Sequence, residues 1–343
     1  MQIKKAATLL LLPMFLTLSA CAPVNKAYNR QFFTMDTVID LSVYSDSKSG
    51  VKTALDAAEK EFFRIAALCD RFSAGSEVSK INKNAGKEPV KVSDDVFLMI
   101  SDSLSWANRT GGAFDITVGP LMDLWDFGKE KNSPPSEAEI KKALIKCGYG
   151  KVILNKNNKT VFLTQPGMAL DLGGIAKGYA TDRAASVLRK SGIRSGIINA
   201  GGNIFVIGGR PDGQKFMVGV QNPREQGSVI AVLPLSDKAA VSSGDYQRYY
   251  IYEGVRYCHI LDPKTGYPAK GVTETTVIGG SAEICDILST SLFVMGREKG
   301  YDFASALSEI DGAMFATEDK RIRATPKLKE IMEPEEAGGY ITE

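Results

Sequence analysis

The sequence runs to 343 residues, with 44% apolar and 24% charged side chains. That is ordinary globular usage, and the chain is long enough to bury its own core in one large domain or two. With 42 Lys+Arg against 40 Asp+Glu the formal charge is only +2, so the basic excess of a nucleic-acid binder is missing, and a single histidine, His259, excludes a multi-histidine zinc site.

The amino terminus differs from the rest. Lys4 and Lys5 precede an apolar run from Ala6 to Leu18, broken only by Thr8, Pro13 and Thr17. So short a run falls below the roughly 20 residues that span a bilayer and reads as a secretory signal. Leu18-Ser19-Ala20-Cys21 resembles a bacterial lipobox. The expectation is a lipoprotein signal peptide over 1–20, lipid on Cys21, a polar tether over 21–30 and a single domain over 31–343. Such a chain sits outside the cytoplasm, anchored to a membrane. Cys69, Cys147, Cys258 and Cys285 show no C-x-x-C spacing. They are expected as buried thiols, although the compartment permits disulfides.

Thr37 to Tyr44 alternates, with Ile39, Leu41 and Val43 on one face, and predicts a strand. Val51, Leu55, Ala58, Phe62 and Ile65 recur at helical spacing and predict a helix over Val51–Leu68. Ser93 suits the cap of a second helix through Met99, Ile100 and Leu104. Residues 129–135 are a loop, and Ser136 with Glu139 fits a capping box opening a third helix. From Val152 onward short β-rich runs recur at 152–154, 161–163, 197–198, 204–207, 216–220, 229–235, 249–252 and 275–278. Two helices interrupt them, about Ile175–Lys190 and about Ala282–Met295. No G-x-G-x-x-G follows a strand, and no Walker A motif is present. The mix is α+β with substantial antiparallel sheet.

The densest chemical signal is Asp171-Leu172-Gly173-Gly174-Ile175-Ala176-Lys177-Gly178, running on to Asp182. A strand at Met168–Leu170 is expected to enter glycines and then a helix. Glycines there let backbone approach a ligand, and a helix N-terminus offers N–H groups to an anion. A tight turn with a solvated lysine accounts for the same residues. Asp286 and Thr290 lie four apart, so a helix puts them on one face. A carboxylate and a hydroxyl suit a hard cation such as Mg²⁺, and equally suit a cap and a backbone-bonded threonine. His259 precedes Ile260-Leu261-Asp262-Pro263-Lys264-Thr265-Gly266, a turn beside the one imidazole available for acid–base work. Gly111-Gly112-Ala113-Phe114-Asp115, Asn199 to Asn203 and Ser242 to Tyr246 are weaker glycine-bearing turns.

Taken together and in order, these blocks resemble the ApbE-like family of FAD:protein FMN transferases. The resemblance rests on Phe33 to Thr37, Arg71-Phe72-Ser73, Ser76 to Asn82, Gly112 to Thr117, Asp171 to Gly178, Asn199 to Asn203, Ser243-Gly244-Asp245, His259 to Gly266 and Asp286 to Thr290. It implies a T-fold-like α+β architecture of mixed and antiparallel sheets with packed helices and a ligand cleft between two lobes. It implies the reaction too: FAD is cleaved at its pyrophosphate, FMN passes to a Thr or Ser hydroxyl of an acceptor protein, and AMP leaves. On the resemblance, Gly174 (through its carbonyl), Asp286 and Thr290, with Ser289 in addition, hold Mg²⁺. Met35, Phe72, Ala113, Phe114, Asp115, Asp171, Lys177 and Ile260 contact FAD, and His259 is the candidate general base. The family's acceptor segment, roughly Asp-Gly-x-Ser/Thr-Gly-Ala-Thr, is not found in this chain, so the acceptor is another protein, expected among extracytoplasmic electron-transfer subunits. Cys258, Asn203 and Cys285 depart from the family's usual histidine, aspartate and alanine. An FAD pyrophosphatase using water as acceptor and a non-catalytic flavin-binding lipoprotein remain as alternatives.

Overall fold

Alternation at residues 37–45 forms the expected strand, paired with one that the sequence does not announce. β1 (Lys26–Thr34) and β2 (Thr37–Ser45) make a hairpin that leads into α1 (Lys48–Cys69). The computed structural model describes residues 26–128, 133–335 and 338–343. After α1 come α2 (Glu77–Lys83), β3 (Val90–Lys91), α3 (Asp94–Arg109), α4 (Gly119–Trp125) and α5 (Glu137–Leu144). β4 (Val152–Asn155) and β5 (Thr160–Leu163) form a small sheet with β3. α6 (Ala176–Lys190) leads to β6 (Ser195–Ala200) and β7 (Asn203–Ile207), and β8 (Phe216–Gln221) pairs with β9 (Val229–Leu235). β10 (Ala239–Gly244) precedes the hairpin of β11 (Tyr249–Tyr252) and β12 (Val255–Cys258), then β13 (Glu274–Gly279). α7 (Ala282–Met295), α8 (Arg297–Ser305), β14 (Ile310–Ala316), β15 (Arg321–Ala324), α9 (Pro326–Ile331), β16 (Glu333–Pro334) and β17 (Ile341–Thr342) complete the chain.

Nine strands build the central sheet in the order β1-β2-β6-β7-β10-β13-β14-β15-β17. All neighbours are antiparallel except β15 and β17. Side chains alternate between its faces. Ile39, Leu41, Phe205, Val241, Val277 and Phe315 face a helical layer that supplies Phe62, Ile65, Ala180, Ala184, Leu288 and Leu292. Val206, Ala240, Ile278 and Met314 face the other way, against Val218, Val220, Leu233 and Leu235 of the β8–β9 sheet. Both faces of the central strands are thus covered, which is why every residue of Glu274–Gly279 is buried. A third cluster packs the β11–β12 hairpin on α4, with Trp125 stacked on Phe127 and Tyr257.

α7 has the bounds read from the sequence, and the capping box of Ser136 and Glu139 is present in full. The four cysteines after Cys21 are free and buried. Two expectations need correction. The tether expected over 21–30 is strand from Lys26, anchored where Arg30 bonds Asp56 at 2.6 Å and also Glu59. The strand expected at Met168–Leu170 is a single bridge, Ala169 to Val118. The signal peptide and Cys21 lie outside the described residues, among which no helix is long and apolar enough to cross a membrane.

Candidate active site

The site is built where α6 meets α7. Gly178 has no side chain, and its backbone passes so close to α7 that a Cβ there would lie 2.7 Å from both the Ala282 carbonyl carbon and Glu283 Cα. The Gly178 amide donates to Asp286 Oδ2 at 2.9 Å. Asp182, one turn further along α6, caps α7 in return. Its Oδ1 accepts from the Ala282 amide at 2.9 Å, and its Oδ2 accepts from the Glu283 amide at 3.0 Å and the Ser281 hydroxyl at 2.7 Å. Asp286 and Thr290, one turn apart on α7, therefore present their oxygens to one cleft.

That cleft encloses about 1250 Å³. Lys177 donates to the Gly173 carbonyl at 3.1 Å and holds its ammonium 3.7 Å from Asp286 Oδ1. Thr290 Oγ1 lies 3.4 Å from Ser243 Oγ. A Cβ on Gly174 would fall 3.5 Å from Thr290 Oγ1 and 3.0 Å from the Phe114 ring. Gly174 backbone, Thr290 and the Phe114 edge thus meet at one point. Gly174, Asp286 and Thr290 offer oxygen atoms only, the donor chemistry of a hard cation that keeps several waters. Among the described residues no group of three or more His, Cys, Asp or Glu is arranged for a metal, so a cation here depends on mixed oxygen ligands.

The expected flavin contacts lie around this point. Met35, Phe72, Ala113, Phe114, Asp115, Asp171, Lys177, His259 and Ile260 all line the cleft. Met35 and Asp36 make the β1–β2 turn with φ of 53° and 58°, a left-handed conformation that side chains other than glycine resist. Phe72 stands 80% exposed at the rim, with the Arg71 guanidinium 4.9 Å from its ring centre. Asp115 is committed internally. Its Oδ1 accepts from the Thr117 amide and hydroxyl at 2.7 and 2.6 Å, and its Oδ2 accepts from the Tyr149 amide at 2.9 Å. Burial raises its pKa despite these bonds. Its side chain fixes the 113–117 loop that carries Phe114. Asp171 Oδ1 accepts from the Gly173 amide at 2.9 Å, and its Oδ2 lies 3.6 Å from Arg71.

Ser289 does not join the cleft. Fully buried, it shares a 2.8 Å hydrogen bond with Ser243 and donates to the Asp286 carbonyl at 3.0 Å. It backs the site rather than facing it.

His259 closes the base of the β11–β12 hairpin, its amide donating to the Arg248 carbonyl at 3.0 Å. Its Nδ1 is buried without a hydrogen-bond partner among the described residues. Burial, with the charges of Arg248 and Lys177 beside it, pushes the imidazole down to about 4. It is neutral at pH 7 and a weak base.

Arg71, Arg248, Gln247, Asn199 and Asn203 also line the cleft and were not among the expected contacts. Arg71 stands beside Phe72 in the sequence, which was a usable signal. Arg248 lies 212 positions from Asp36, its 3.4 Å partner, and no local pattern marks it. Asn203, fully buried with neither amide atom finding a hydrogen-bond partner among the described residues, stands where the family usually has an aspartate.

Known proteins resemble this chain along most of its length. The ApbE family pattern matches residues 35–314. An FAD:protein FMN transferase from Klebsiella pneumoniae is 33% identical over 92% of this chain and 98% of its own length. One from Treponema pallidum is 31% identical over 88% of this chain and 87% of its own. The crystal structure of the ApbE protein from Thermotoga maritima superposes with a TM-score of 0.83 at 35% identity, covering 90% of this chain and all of that one. The flavin transferase ApbE from Vibrio cholerae gives 0.81 at 28% identity, over 90% of this chain and 99% of that one. The chain belongs to the ApbE family. Its activity is the transfer of FMN from FAD to a protein.

Proposed function

We propose that this cleft binds FAD across the α6–α7 junction and that the transfer is cation-dependent, releasing AMP. One observation carries the reading: Lys177, Gly174, Asp286, Thr290, Phe114 and His259, drawn from four separate stretches of chain, converge on one cleft. The Thr oxygen of the acceptor attacks the FMN-side phosphorus, that P–O bond forms, the bond to the bridging oxygen breaks, and AMP takes the electron pair. Phosphoryl transfer of this kind is mostly positioning and charge neutralisation. Asp286 Oδ1, Thr290 Oγ1 and the Gly174 carbonyl would hold Mg²⁺, which neutralises pyrophosphate charge when bound. Lys177, the second residue of α6, adds a second positive charge at the start of that helix. Phe114 and Phe72 supply flat apolar surface to the rings. His259, neutral, accepts the hydrogen bond of the incoming hydroxyl. The hydroxyl's proton, held in that hydrogen bond while the P–O bond forms, passes to solvent, and the AMP phosphate is a good leaving group that asks little of the base.

The natural substrate is proposed to be an extracytoplasmic protein bearing an Asp-Gly-x-Ser/Thr-Gly-Ala-Thr-like segment. The enzyme itself is proposed as a single domain that begins with β1 at Lys26, anchored through lipid on Cys21 after loss of residues 1–20. The test combines the chain, FAD, Mg²⁺ and a fusion protein carrying that segment. The expected result is a mass gain of one FMN on the fusion, matched by AMP and lost on chelation. AMP without the mass gain would favour a pyrophosphatase.

A further inference from the structure

We propose that the acceptor polypeptide docks as an added β-strand on the free edge of β8, at the wall of the cleft. This rests on the cleft reading above and says how its second substrate is held. β8 is the outer strand of a three-stranded sheet in the order β16-β9-β8. Two observations fix which of its backbone groups face outward. Opposite Met217 stands Pro234, which has no N–H to give to β8. On the far side of β9, Ile230 turns its carbonyl away from β8 to accept from the Glu335 amide at 3.2 Å. Along β9, Ala231, Leu233 and Leu235 are therefore the residues that bond β8, through Val220, Val218 and Phe216. By the alternation of an antiparallel ladder, Met217 and Gly219 turn their N–H and C=O groups outward. Past the register shift between Val220 and Gln221, the Asn222 amide donates back to the Ser228 carbonyl at 2.9 Å, so Gln221 turns outward as well.

Gly219 and Gln221 line the same cleft as Asp286 and His259. Among the described residues, no backbone hydrogen bond outside the β8–β9 ladder engages Met217, Gly219 or Gln221. Strand edges are ordinarily blunted by lysine, proline or inward charge, yet Phe216–Gln221 carries none of these and its Met217 is 49% exposed. The activity requires a polypeptide to bring a hydroxyl into this cleft, so the open edge borders the place where that substrate must lie. An added strand is held mainly by main-chain bonds, which suits a segment whose side chains are small.

The test uses a synthetic acceptor peptide, Asp-Gly-x-Thr-Gly-Ala-Thr with short flanks, N-methylated at one backbone nitrogen at a time. With the unaltered enzyme, methylation at alternate positions should raise the acceptor KM roughly two- to tenfold per lost bond, and intervening positions should not. Met217→Pro removes an outward N–H while keeping the ladder to β9, a substitution that edge strands tolerate. It should raise the acceptor KM similarly, with kcat held and FAD affinity, read by flavin fluorescence, unchanged. A scan without the two-residue period overturns the proposal. A periodic scan with a folded Met217→Pro at the wild-type KM places the strand elsewhere and overturns it too. If Met217→Pro does not fold, the peptide scan decides alone. Asp286→Ala tests the cleft separately: unaltered AMP release there would sink the cleft reading, whereas its loss beside a flat scan sinks only edge docking.

Discussion

Asp182 and Asp286 each hold the other's helix. Asp182 on α6 caps α7 through three bonds of 2.7–3.0 Å, while Asp286 on α7 accepts from the Gly178 amide of α6 at 2.9 Å. The consequence is a division of labour within the Asp286 carboxylate. Oδ2 is tied to backbone, and Oδ1 is left toward Lys177 and the cleft.

Asp182→Asn is the direct test of that relationship. The amide keeps one acceptor oxygen but puts a donor where the Glu283 amide and Ser281 hydroxyl now donate. Groups that orient a metal ligand typically contribute ten- to a hundredfold to affinity. Mn²⁺ binding, followed by electron paramagnetic resonance without FAD, should weaken by about that factor. Asp286→Ala should abolish it. A folded Asp182→Asn with wild-type affinity would reduce Asp182 to an ordinary cap.

Gly178→Ala probes the same junction from the backbone side. Gly178 needs no unusual φ, so the cost comes from contact alone. The new methyl would press on the Ala282 carbonyl and Glu283 Cα, which are backbone and cannot rotate away. Overpacking of this kind costs about 1–3 kcal/mol. The helices must part, lengthening the bond to Asp286. Thermal unfolding should show the loss of stability, and AMP release should fall even at temperatures where the variant is folded.

Much of this junction was legible because it is local. Asp286 and Thr290 sit four apart in an apolar helix whose bounds the sequence marks, and Ser136 with Glu139 spells out its own cap. What escaped depends on partners far along the chain. β1 hides because, as an edge strand, its residues are exposed or only half-buried except Thr34, so its alternation is weak. α2 and α9, of seven and six residues, are too short to show a period. Ala169 pairs with a single residue, so the apolar run Met168–Leu170 has no neighbour along which to extend into a strand. Ser289 shares a helix with Asp286 but turns into the sheet toward Ser243, a direction that spacing alone did not settle.

Glu274 gives a pH test that no ligand complicates. It is fully buried on β13, accepting from the Thr276 hydroxyl at 3.0 Å and the Tyr246 hydroxyl at 3.2 Å. Burial pushes its carboxyl up to about 7, from an ordinary 4.5. The folded chain thus holds a proton that the unfolded chain has released, and stability falls as pH rises through that window. In Glu274→Gln this contribution is gone. The difference in Tm between variant and wild type should move in the variant's favour from pH 5 to pH 8. A constant difference would mean that Glu274 titrates normally.

His259 makes the opposite case, since burial and two neighbouring cations push it down to about 4 from 6.5. The unfolded chain binds the proton first, so its contribution to stability is complete above 6.5 and is lost as pH falls toward 4. For catalysis the same shift keeps the imbalance of charge out of the cleft: the ring stays neutral beside Lys177 and Arg248 throughout the physiological range. The acid limb of kcat/KM reports the free enzyme's groups. It should therefore show no inflection near 6.5 in the wild type, and His259→Gln should lower kcat without altering the profile's shape above pH 5. An inflection near 6.5 that disappears in His259→Gln would show instead that the imidazole titrates as an ordinary base, and would make it the full proton acceptor for the attacking hydroxyl.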